Sequence, residues 1–200
     1  RAAKKQAEDA GDDEMVGQLR LRLRLYALNL PFHGELDAHR RLARLRLDEG
    51  DIAAALPHLQ EAWRLAPDNL ALGLELAAAH RRRNQPQQAI GVYETILSGG
   101  DAPSAASAGL ANLLATTSVR ALRDGERALR LAKAACAASD SDPEFAGAHA
   151  AALAELGRLD EAEAEAVRAR ALAVGSGRSE LAAKLDDQRR LYGDGLAYHD

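Results

Sequence analysis

Gly50-Asp51-Ile52-Ala53-Ala54-Ala55-Leu56-Pro57-His58-Leu59-Gln60-Glu61-Ala62-Trp63-Arg64-Leu65-Ala66-Pro67 is the segment from which the architecture of this chain can be read. A helix that reaches Gly50 has to end there, because glycine accepts the left-handed backbone of a helix terminus without steric cost. Asp51 is suited to cap the next helix, since its side-chain oxygen can accept from a first-turn amide. Ala55, Leu59 and Ala62 then recur at helical spacing, and Pro67 lies where the helix should stop. The same grammar returns twice. Asn84-Gln85-Pro86 is followed by Ala89, Tyr93 and Ile96, and Gly157-Arg158-Leu159 by Ala162, Ala166 and Ala169. Asn84 also tolerates the left-handed conformation, and Pro86 fits a first helical turn. The step from Gly50 to Asn84 is 34 residues. The unit predicted is an antiparallel helix pair, with Ala43, Ala55 and Ala62 allowing close approach and Leu42, Leu59 and Leu65 filling the gap.

This pattern resembles the tetratricopeptide repeat family, a 34-residue helix–turn–helix with the same alternation of small and large residues. The resemblance implies an all-α fold, a right-handed α-α superhelix (solenoid) of antiparallel helix pairs with helical caps at both ends. Four units are expected, at 36–69, 70–103, 104–142 and 143–174. Residues 1–34 read as the end of a preceding block and 175–200 as a capping helix and tail. His39, Gly73 and His149 depart from the family pattern, and Pro57 should kink its helix or remove a hydrogen bond. The third unit is long: Leu114 to Ala128 spans 14 residues between its helices, and Leu110-Ala111-Asn112-Leu113-Leu114-Ala115-Thr116 with Arg123-Asp124-Gly125 resembles a variant seen near the C-terminal end of bacterial members.

Composition agrees with helix. Ala, Leu, Arg and Glu are strong helix formers, and aromatic residues make up only 4% of the 200-residue chain. A net charge of −4 argues against general affinity for nucleic acid or anionic membrane. Cys136 is the sole cysteine, so no internal disulfide is possible. No apolar run is long enough to span a membrane, and no signal peptide is visible. These features leave the compartment open between cytoplasm and periplasm.

One phrase occurs twice. Leu25-Tyr26-Ala27-Leu28-Asn29-Leu30-Pro31-Phe32-His33 is echoed 166 residues later by Leu191-Tyr192-Gly193-Asp194-Gly195-Leu196-Ala197-Tyr198-His199. The echo suggests two block ends, as if the chain were the last module of a longer array. Residues 178–193 should be a helix presenting Leu181, Leu185, Gln188 and Tyr192 on one face. The first copy contains Leu19-Arg20-Leu21-Arg22-Leu23-Arg24-Leu25, whose alternation is a strand signal. Helix is preferred because the second copy does not alternate and because Met15, Leu19, Leu23 and Tyr26 fit a helical face. Leu21, Leu23 and Leu28 become Asp187, Arg189 and Asp194 in the second copy. Burial of the first helix on a second side, with solvent around the last, is the expectation.

No catalytic constellation is found. His33 and His199 have no Cys, Asp or Glu at ligand spacing, so a packing or hydrogen-bonding role is expected. His149 reads as a core histidine and Cys136, among alanines, as an inert buried thiol. Ser104, Ser107, Thr116 and Thr117 lack His or Asp companions, and Gly99-Gly100-Asp101 is a helix-ending turn rather than a phosphate loop. No metal or cofactor is expected.

The arginines are the positive signal. Arg40, Arg41, Arg44, Arg81, Arg82 and Arg83 fall on the first helices of adjacent units. The resemblance places such helices along a concave groove, implying a partner-binding face of Arg40, Arg44, Leu47, Leu74, Ala78, Arg81, Arg82 and Asn112. Arginine pairs bidentately with carboxylates, so the partner would be a protein or peptide of acidic character. A solvated face balanced by Asp37, Asp48 and Glu75 is the alternative. Arg44 stands where chaperone-binding relatives carry a clamp asparagine, which argues against that role. The reading is therefore a non-catalytic interaction scaffold, or alternatively a regulatory or structural appendage of a larger enzyme or of a membrane or export assembly. Nucleic-acid binding is disfavoured by the acidic total and the lack of interleaved aromatics.

Overall fold

The computed structural model describes residues 16–28, 34–100 and 102–200. Every regular element among them is helical. Residues 16–27 form α1. Then follow α2 (Glu35–Asp48), α3 (Ile52–Leu65), α4 (Leu70–Arg82), α5 (Pro86–Ser98), α6 (Ser104–Thr116), α7 (Gly125–Ala138), α8 (Pro143–Glu155), α9 (Leu159–Gly175) and α10 (Ser179–Gly193). A single 3-10 turn, Arg120–Leu122, interrupts the link from α6 to α7. The chain divides into two compact units, Arg1–Arg83 and Asn84–Asp200.

The punctuation works as physical chemistry requires. Gly50, Asn84 and Gly157 adopt φ of 76°, 54° and 74°, the left-handed region in which a Cβ is costly. Asp51 caps α3 by accepting from the Ala54 amide at 3.0 Å, and Asn69, Asp124 and Asp142 cap α4, α7 and α8 in the same way. Pro86 opens α5 at a position whose amide needs no partner. Pro57 lies inside α3 with the helix continuing on both sides, its ring on the exposed face.

In the first unit α2 packs on α3, and α3 on α4. Ala38, Leu42, Ala55, Leu59 and Ala62 are completely buried, alanines permitting the close approach and leucines filling it. Leu25 of α1 joins Ala38 and Leu42, with Leu21 partly buried against them. This corrects the expected face of α1. Leu19, Leu23 and Tyr26 are exposed by 56%, 59% and 81%, and Leu28 is exposed too, so Leu23 and Leu28 are not sealed inside. The reason is geometric. At 3.6 residues per turn, residues two apart point about 200° apart, so once Leu21 and Leu25 face α2 an alternating partner cannot. Met15, Leu30 and His33, also invoked in the sequence reading, lie outside the described residues.

The second unit is built largely from alanine. α8 contacts α6, α7 and α9, and α9 contacts α10. Ala146, Ala169, Ala173, Ala182 and Leu185 form one cluster, with Leu172 and Leu181 packed on it. The face predicted for the last helix is the buried one: Leu185, Gln188 and Tyr192 are each 2% exposed. Gly109 of α6 is required by proximity, since a Cβ there would sit 2.6 Å from the Tyr93 ring. The C-terminal tail docks on the ends of α6 and α8. The Asp200 amide donates to the Thr116 carbonyl at 2.6 Å, and the Thr116 hydroxyl donates to Asp200 Oδ2 at 3.1 Å. His199 Nε2 meets Glu155 Oε2 at 2.8 Å, a hydrogen-bonding role of the kind expected for it. His33 lies outside the described residues.

Candidate functional site

The arginine-bearing surface divides by unit. On α2, Arg40, Arg44 and Leu47 stand at i, i+4 and i+7 and form one stripe. Arg40 is exposed and Leu47 half-buried. The Arg44 side chain is 73% exposed and reaches Asp48 at 3.4 Å, an i,i+4 surface pair worth about 0.3–0.5 kcal/mol. Arg41 leaves the stripe for Asp37 at 2.7 Å. On α4, Leu74, Ala78, Arg81 and Arg82 form a second stripe: Ala78 and Arg82 exposed, Leu74 and Arg81 half-buried. α2 and α4 both lie against α3. Arg40 and Arg82 make no ion pair among the described residues. Asn112 belongs to α6 of the second unit, where it is half-buried.

Two groupings were not anticipated by the sequence reading. The first is an open pocket of about 480 Å³ between α1, α2 and α3, lined by Arg20, Arg24, Glu35, His39, His58 and Arg64 among others. His39 and His58 face each other with Nδ1 atoms 3.0 Å apart, so one nitrogen donates and the other accepts. Burial lowers both rings from the usual histidine value, and the neighbouring His39 helps to bring His58 down to about 4. Arg64 hydrogen-bonds Glu61 and holds its carboxyl below the usual range. The spacing of His39 and His58, one helix apart, was the available signal.

The second grouping lies in the second unit, where α7, α8 and α9 bring Cys136, His149 and Glu165 together. This corrects two expectations. Cys136 is half-buried rather than enclosed among alanines, and His149 is half-buried beside a carboxylate. Their sequence neighbours misled, because a helix presents different neighbours in space from those in the chain. Burial works to raise the Glu165 carboxyl, but hydrogen bonds from Arg168 and His149 outweigh it and hold it below its usual value. Burial, with Glu165 nearby, pushes the Cys136 thiol up. No helix among the described residues is long and apolar enough to cross a membrane.

Residues 46–114 match the family model described as tetratricopeptide repeat. No curated protein matches the chain. Among solved structures the fold is similar to MamA 41-end from Desulfovibrio magneticus RS-1, at 16% identity and a TM-score of 0.58, covering 82% of this chain and 98% of that one. It is also similar to TTC0263, a thermophilic repeat protein of the same kind from Thermus thermophilus, at 19% identity and TM-score 0.56, covering 80% and 98%. A repeat protein from Parabacteroides merdae ATCC 43184 aligns at 21% identity and TM-score 0.54, covering 78% of this chain and 65% of that one.

Proposed function

Because the chain is a tetratricopeptide-repeat protein, we propose that it is a non-catalytic scaffold that binds an acidic peptide or partner segment along the exposed stripes of α2 and α4. The observation that carries this reading is Arg40 and Arg82, two exposed guanidinium groups without ion pairs among the described residues. Each is flanked on its stripe by apolar surface, Leu47 on α2 and Leu74 and Ala78 on α4. Planar guanidinium groups recognise carboxylates bidentately, and half-buried leucines beside them give a peptide backbone somewhere to lie. Arg44 contributes less, being shared with Asp48. Arg81 completes the α4 stripe, and Asn112, on the second unit, is proposed as a partner contact of its own. Nucleic acid is not the partner under this reading, because the net charge is −4.

The test is a peptide array of glutamate-rich segments with free C-terminal carboxylates, probed with the full chain and with Arg40→Glu/Arg82→Glu. The reversal should weaken the best binder at least about tenfold, as expected when one or two charge-assisted contacts are lost. Far-ultraviolet circular dichroism should be unchanged. Equal affinity for both proteins would refute the assignment of the stripes.

A further inference from the structure

We propose that Cys136, His149 and Glu165 form a binding site for a thiophilic divalent metal ion of the zinc class. One donor comes from each of three consecutive helices, α7, α8 and α9, and the three donor atoms lie within 4.8 Å of one another. The donor set is thiolate, imidazole and carboxylate, the combination that a borderline-soft ion prefers, whereas hard cations take oxygen alone.

The geometry is close to what an ion requires. His149 Nδ1 and Glu165 Oε1 are 3.1 Å apart. Two donors bound tetrahedrally at roughly 2.0–2.1 Å are about 3.3 Å apart, so this pair already spans one edge of a coordination tetrahedron. A thiolate needs a separation of roughly 3.6 Å from each of the others, which a side-chain adjustment of Cys136 on the order of 1 Å supplies. The ion takes the place of the proton now held between Nδ1 and Oε1.

Arg168 is the feature that could oppose a cation. Its Nε donates to Glu165 Oε2 at 3.1 Å and its Nη2 to Oε1 at 2.5 Å. Its third nitrogen is anchored elsewhere, on the Asp140 carbonyl at 2.7 Å and carboxylate at 2.9 Å. Arg168 also hydrogen-bonds the Cys136 thiol, so it can keep Oε2 through Nε and Asp140 through Nη1 while it gives up Oε1 and the sulfur to the ion. The charges then balance locally: a divalent ion against one thiolate and one carboxylate, with Arg168 beside Asp140. Binding converts the Cys136 thiol to a metal-bound thiolate and releases one proton to solvent, while the His149 proton moves from Nδ1 to Nε2. Affinity should therefore rise with pH. Three protein donors leave a fourth position for water or for a donor from a partner.

The test is titration of the reduced, metal-free full chain with Co²⁺, followed by displacement with Zn²⁺. One equivalent should bind with a thiolate-to-cobalt charge-transfer absorption, and Zn²⁺ should abolish it and raise the melting temperature. Cys136→Ser should lose the absorption, and Glu165→Gln, nearly isosteric, should weaken binding about tenfold or more. Absence of the charge-transfer band in the wild-type chain would overturn the proposal. So would a band of undiminished affinity in both Glu165→Gln and His149→Ala, which would mean a lone thiol binding without a site.

Discussion

α1 and α10 carry the same Leu-Tyr pair in their last turn and bury opposite members of it. In α1, Leu25 is completely buried and Tyr26 is 81% exposed. In α10, Tyr192 is 2% exposed and Leu191 only half-buried. One residue of rotation, about 100°, separates the two faces. Each choice follows from what the helix meets. α1 lies against Ala38 and Leu42, where Leu25 packs on the small Ala38 and beside Leu42. α10 lies against α9, and Gly147 of α8 leaves room for Leu185, so the whole stripe Leu185–Gln188–Tyr192 turns inward. A duplicated phrase therefore transmits helix, not orientation.

Substitution at the tyrosines breaks the comparison most directly. Tyr192→Ala should cost about 3–5 kcal/mol, in the range for deleting a buried aromatic ring, whereas Tyr26→Ala should stay within about 0.5 kcal/mol. Urea denaturation followed by circular dichroism measures both, and similar losses at the two sites would mean that the two helices bury the same face after all.

A second contrast concerns the aligned pair Leu23 and Arg189. Burial of α1 on a second side would make Leu23 the more critical of the two; its exposure reverses that order. Leu23→Asp should change stability by no more than about 0.5 kcal/mol. Arg189→Asp removes contacts to Asp186 at 3.2 Å and Glu163 at 3.1 Å and sets a third carboxylate between them, so its melting temperature should fall further. A larger drop for Leu23→Asp would restore the buried-junction picture.

Acid should separate the two ends of the chain by the smallest margin. The pocket at α1 holds His39 and His58, with Glu35, Glu61, Arg24, Arg46 and Arg64 around them, while the cleft lined by Arg170, Ser179 and Asp186 at α10 holds no histidine. The folded His58 titrates at about 4 and an unfolded histidine at 6.5, so between those values the unfolded chain binds more protons. The stabilisation is complete above 6.5 and is lost as pH falls towards 4. Hydrogen exchange should show α1–α3 loosening across that window before α9–α10, and His58→Gln should flatten the effect. Simultaneous loosening at both ends would assign it to carboxylates.

How much was legible varied with the kind of interaction. Gly50, Asn84 and Gly157 announced the turns, because left-handed backbone is a property of single residues. The helix of residues 16–27 was legible against its own alternation, because its sister copy lacked that pattern. The face of α1 was not, since Leu19, Leu21, Leu23 and Leu25 offer equivalent apolar choices and only Ala38 and Leu42 select among them. The Cys136–His149–Glu165 grouping was equally hidden, each residue being local to a different helix. Arg40 and Arg82 could be named from the sequence, but that Asp37 reaches Arg41 and Asp48 reaches Arg44 was decided by the fold.

The amino-acid sequence alone thus determined that the chain is a series of antiparallel helix pairs, because caps, breakers and the 34-residue period act over a few residues at a time. Only the tertiary structure decided which face of α1 is buried and which side chains meet across helices. Those outcomes depend on the shape of the neighbouring surface, and a repeated phrase carries no information about the surface it will meet.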